Sequence, residues 1–66
     1  MNIILNGEEF SLNGEVSVSF LVEKLQLDTR KIAIERNLEI VPRSQYSNVI
    51  FQEGDRVEIV GFMGGG

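Results

Sequence analysis

The sequence predicts an α+β domain: a mixed five-strand sheet with one main helix packed across one face. Three stretches carry that prediction. Residues 2–12 hold two β-like runs around Asn6-Gly7, the strongest short hairpin signal. Val18, Leu21, Val22 and Leu25 recur at the i, i+3, i+4, i+7 spacing of an amphipathic helix. Residues 56–62 read as a strand, with Val57 and Ile59 on one face and Glu58, Val60 and Phe62 on the other.

The elements follow in chain order. A two-residue type I′ loop at Asn6-Gly7 pairs Leu5 with Glu8, Ile3 with Phe10 and Met1 with Leu12. Paired residues share a face, so this register gathers Met1, Ile3, Leu5, Phe10 and Leu12 on the core side. Asn2, Glu9 and Ser11 fall on the other side, with Ile4 as the apolar exception among them. Asn13-Gly14 is a second turn signal, and Ser17 is placed to cap the helix that starts at Val18. That helix runs two to three turns, too short to persist without packing on the sheet. Phe20 lies off its apolar stripe. Residues 32–36 form a third strand with Ile32 and Ile34 facing the core, Asn37-Leu38 the turn after it, and residues 39–41 a short fourth. Pro42 cannot donate to a ladder, so the fourth strand belongs at an edge or stops there. Residues 44–47 suit a single helical turn, Val49-Ile50-Phe51 brings apolar side chains back towards the core, and Glu53-Gly54-Asp55 is a turn into the last strand. The expected core is Ile3, Leu5, Phe10, Leu12, Leu21, Val22, Leu25, Ile32, Ile34, Val57 and Ile59.

Sixty-six residues make one small domain, with little room to enclose a deep catalytic pocket. The division expected is a folded body over 1–63 and a flexible glycine tail over 64–66. With no Cys the chain has no disulfide, thiol nucleophile or persulfide of its own, and with no His it lacks the commonest general base and metal ligand. Its ten carboxylates are scattered without metal-loop spacing and read as solvated surface. A net charge of −4 argues against a nucleic-acid partner and suits one with a basic cleft. No apolar run approaches the ~18 residues of a membrane span, and no leader-like segment is read, so a soluble, intracellular protein is expected.

The chemically accessible group is the carboxylate of Gly66, at the end of Met63-Gly64-Gly65-Gly66. Glycine has no Cβ, so Gly64 and Gly65 can thread a slot too narrow for other residues. A terminal carboxylate is ionised at neutral pH, its ordinary value being about 3.5. A glycine-rich end alone is equally what an unremarkable terminus shows.

Taken together, the chain resembles the ubiquitin-like β-grasp fold, and within it the ThiS family of sulfur carriers in thiamine thiazole synthesis. The resemblance covers the whole chain. It rests on the Asn6-Gly7 hairpin, the helix from Val18, Ile40-Val41-Pro42-Arg43, the run from Glu53-Gly54-Asp55 through Val60, and Gly65-Gly66. Gly61 and Met63 depart from the bulkier or aliphatic residues expected there, and Gly64 lengthens the glycine tail. The resemblance implies a protein co-substrate rather than an enzyme, with no bound cofactor. An E1-like adenylyltransferase using ATP would activate the Gly66 carboxylate. A cysteine desulfurase or other persulfide donor would supply sulfur, and thiazole synthase would receive it from the thiocarboxylate. The location implied is the cytoplasm, or the plastid stroma in a photosynthetic eukaryote. Alternatives of other classes are a molybdopterin synthase small-subunit-like carrier, a ubiquitin-like modifier, and a non-reactive β-grasp interaction module.

Ordering a glycine tail costs roughly 1–2 kcal/mol per residue, so a folded docking surface is needed beside it. The hairpin register and the alternation of the last strand put Ile4, Val60 and Phe62 on the open face. The β-grasp resemblance implies that the first and last strands are adjacent, so these three are expected side by side there as an apolar patch, with Glu58 and Glu35 meeting basic residues of a partner.

Overall fold

The computed structural model of the chain describes residues 1–61. The first hairpin forms as its turn chemistry requires. Asn6 and Gly7 take φ of 50° and 85°, the left-handed pair of a type I′ turn, between β1 (Asn2–Leu5) and β2 (Glu8–Ser11). Ile3 pairs with Phe10 and Leu5 with Glu8. Met1 and Leu12 exchange two bonds of 2.7 Å, so the predicted register extends to the chain start.

Helix α1 (Val18–Lys24) has its first four N–H groups satisfied. Val18 donates to the Val49 carbonyl, Ser19 to the Tyr46 carbonyl and Leu21 to the Ser17 carbonyl, while Phe20 donates to Ser17 Oγ at 3.0 Å. The cap read from the sequence is therefore present, and residues 46–49 supply the rest. At the other end Gln26 N–H bonds to Glu23 O and Leu27 N–H to Val22 O. This is a Schellman termination, with Gln26 at φ 56° where glycine is usual.

Strands β3 (Ile32–Arg36), β4 (Glu39–Ile40) and β5 (Arg56–Gly61) complete a sheet of order β2-β1-β5-β3-β4. β5 is central, parallel to β1 and antiparallel to β3. β4 is an edge strand one residue shorter than expected. Pro42 follows, and a 3₁₀ turn (Arg43–Gln45) stands near the single helical turn expected at 44–47.

The core lies between α1 and one face of the sheet. Ile3, Leu12, Leu21, Val22, Ile34 and Val57 are buried there as predicted, with Leu5, Phe10, Leu25, Ile32 and Ile59 half-buried against them. Val16, Val18, Val41 and Tyr46 join the core although the expected list omitted them, and Phe51 joins it from the segment expected to turn back towards the core. Four of these five come from segments without regular periodicity, where no stripe or alternation marks an inward position. Phe20, off the stripe, is exposed.

Candidate functional site

The site is the open face of the sheet and the end of β5 that leads into the tail. Burial of Ile3, Ile34 and Val57 fixes the inward parity, so alternation places Ile4, Ala33, Glu35, Arg56, Glu58 and Val60 on the outward face. Ile40, paired with Glu35, shares it. Val60 and Ile40 are exposed large apolar residues.

Register decides which of these meet. Ile4 pairs with Arg56, whereas Val60 pairs with Ala33 on the opposite neighbour. Val60 is four residues further along β5 than Arg56, roughly 13 Å. Ile4 and Val60 therefore share a face but are not side by side as expected; Arg56 and Glu58 lie between them. The parallel pairing matches the end of β1 to the start of β5, which is the physical reason. Ile4 instead lines a surface groove of about 290 Å³ with Asn6, Gly7, Arg56, Val57 and Glu58. Glu58 faces Glu35 directly across the β3–β5 ladder. Phe62, Gly64, Gly65 and Gly66 lie outside the described residues.

The start of β5 is wired from both sides. Asp55 is buried, and three donors reach its carboxylate: Arg36 Nε at 2.7 Å, Gln52 N–H at 2.8 Å and Asn37 Nδ2 at 3.0 Å. Burial pushes this carboxyl up, but the bonds from Gln52, Arg36 and Asn37 outweigh it and hold the group below its ordinary value. Asn37 Oδ1 accepts from Arg56 N–H at 2.9 Å, and Asn6 Oδ1 accepts from Ile59 N–H at 2.8 Å. Turn residues on both flanks thus pin β5, giving the tail a rigid base. Sequence reasoning read Asp55 and Asn37 only as turn residues; their side-chain bonds span 18 and 19 positions, and no local pattern reveals them.

At the far end, Gly61, the last described residue, pairs with Ile32, which follows Arg30 and Lys31 in the chain. Asp28 accepts from Arg30 N–H, Nε and Nη2 at 2.9–3.1 Å, and the Arg30 side-chain bond holds its carboxyl down to about 2. No helix among the described residues is long and apolar enough to cross a membrane.

Comparison with known proteins is consistent with this geometry. The model of the ThiS family matches residues 3–66. A relative in Bacillus subtilis, named sulfur carrier protein ThiS, is 33% identical over 63 residues, covering 94% of this chain and 96% of that protein. A crystal structure of the thiamine biosynthesis protein ThiS from Geobacter metallireducens superposes with a TM-score of 0.86 at 30% identity, covering both chains fully. A relative in Paramagnetospirillum magneticum, named thiazole synthase, is 48% identical over all 66 residues, but the chain spans only 20% of its length. With a β-grasp sheet, a family match reaching the glycine tail and a relative matched end to end, the chain belongs to the ThiS family.

Proposed function

We propose that this chain is a sulfur carrier of thiamine biosynthesis, a protein co-substrate whose reactive group is the Gly66 carboxylate. The observation that carries the reading is the family match through residue 66, joined to near-complete coverage of the Bacillus carrier. A carboxylate is a poor acyl donor until one oxygen becomes part of a good leaving group. In the proposed sequence the Gly66 carboxylate attacks the α-phosphorus of ATP on an E1-like adenylyltransferase, and pyrophosphate leaves. The terminal sulfur of a persulfide, supplied by a cysteine desulfurase or similar donor, then attacks the acyl carbon and AMP leaves. Thiol reduction of the resulting acyl disulfide frees the thiocarboxylate. This chain has no Cys or His, so the sulfur and the acid–base groups come from partners.

Thiazole synthase is the proposed receiver. Its support is the 48% identity to one-fifth of a protein bearing that name. The protein's own contribution is a pinned strand ending in glycines that pass a narrow slot.

The test is intact mass after incubation with ATP, the cognate adenylating enzyme and a sulfur donor. The reading expects a gain equal to the difference between sulfur and oxygen. An unchanged mass, with a control carrier converted in the same mixture, rejects it.

A further inference from the structure

A second surface pocket lies at the end of the sheet where Ile32 pairs with Gly61, and nothing in the sulfur chemistry uses it. It holds about 230 Å³, below the several hundred typical of small-molecule sites, and suits a side chain rather than a cofactor. Its lining combines apolar side chains, Ile32, Ala33, Ile40 and Tyr46 among them, with Arg30 and Arg43.

Two features of the fold create it. β4 stops at Ile40 and Pro42 follows, so β3 has no strand partner beside Ile32 on that edge among the described residues. Val41 N–H bonds to Ile34 O, and alternation turns the backbone of Ile32 toward the same edge. Charge is also unevenly distributed. Of six cations in an acidic chain, Arg36 is committed to Asp55, whereas Arg30 and Arg43 both line this pocket. Asp28 orients Arg30 and engages its Nε and one Nη, leaving other guanidinium donors. The middle of the open face, at Glu35 and Glu58, has the opposite sign.

We infer that this pocket is a docking cleft for an acidic segment of a partner protein, which seats an apolar side chain on Ile32, Ile40 and Tyr46 and presents a carboxylate to Arg43 and Arg30. Charge complementarity selects the occupant: guanidinium groups lining a pocket beside apolar side chains match a carboxylate beside an aliphatic side chain. Because Gly61 pairs with Ile32, the last described residue of β5 is the strand partner of a residue that lines this cleft. The inference rests on the sulfur-carrier reading only for the partner's identity, and the binding measurement uses neither ATP nor sulfur.

The experiment is an amide NMR titration of the free protein with an N-acetylated leucyl-glutamate peptide amide, its leucyl-glutamine analogue, and inorganic phosphate. The glutamate peptide should shift Ile32, Ala33, Ile40 and Tyr46, and the glutamine peptide should bind more weakly. Arg43→Glu should weaken the glutamate peptide about tenfold at low salt, with Arg43→Lys retaining most binding and Arg56→Glu, in the other groove, leaving it unchanged. The inference is overturned if no peptide shifts the cleft, if both peptides bind equally, if phosphate binds as well as the glutamate peptide, or if Arg43→Glu has no effect in a variant of unchanged Tm.

Discussion

Arg36 Nε donates to Asp55 Oδ2 at 2.7 Å, joining the last residue of β3 to the turn that launches β5. The carboxylate also takes bonds from Gln52 N–H and Asn37 Nδ2, and its side chain is only 7% exposed. Removing it strands three donors, so Asp55→Ala should destabilise the fold by about 2–4 kcal/mol.

The same group sets an acid limb. Its folded value lies below the ordinary 3.8. The carboxylate therefore contributes stability above that value, and the contribution is lost as pH falls through the lower folded one. Thermal melts from pH 6 down to pH 2 should show a Tm decline that steepens below about 4. Asp55→Asn should lower Tm at pH 6 and flatten the decline. An unchanged acid limb in that variant would place the titration on other carboxylates.

Two turns carry a residue where glycine is easier. Leu38 has φ 72°, is 85% exposed, and follows Asn37 in the β3–β4 turn. Gln26 has φ 56° at the end of α1. A left-handed L-residue costs about 1–2 kcal/mol, while glycine's extra chain entropy returns some 0.5–1. Leu38→Gly and Gln26→Gly should each raise stability by several tenths of a kcal/mol, up to about 1. For a domain this small, 1 kcal/mol is roughly 4–8 °C in Tm. A fall in Tm for Leu38→Gly would show that its side chain makes stabilising contacts despite its exposure.

Leu21 and Leu25 lie on the same stripe, but only Leu21 is fully buried; Leu25, at the C-cap, is half-buried. Leu21→Ala should cost about 2–5 kcal/mol, and Leu25→Ala distinctly less, since a partly exposed site leaves no closed cavity. Equal losses in chemical denaturation would contradict that ranking.

The parts legible in the sequence were those fixed by short-range rules. Asn6-Gly7 set the hairpin register through to Met1 and Leu12, Ser17 capped α1, and the spacing of Val18, Leu21 and Val22 identified its buried face. Pro42 correctly confined β4 to an edge. The adjacency of β1 and β5, drawn from the family resemblance, also held, but their offset did not follow from it. Nothing near Ile4 or Val60 specifies that Ile4 meets Arg56, so the apolar patch was placed as one cluster when it is split along the face. The Asp55 network and the core role of Tyr46 depend on distant contacts from irregular segments.

Glu35 and Glu58 stand directly opposite each other across β3 and β5, both turned toward the open face. Like charges in that position destabilise a sheet by roughly 0.2–1 kcal/mol. Glu58→Gln removes the repulsion while keeping side-chain size, so it should raise Tm by roughly 1–8 °C. If this face meets a basic surface on the thiazole synthase or the adenylating enzyme, the same variant should associate several-fold more slowly at low salt, with the difference vanishing at high salt. Stopped-flow association across a salt series, run beside the melts, reads both effects. A higher Tm with an unchanged association rate at every salt concentration would leave the pair as surface repulsion without a docking role, and would move the encounter surface away from Glu58.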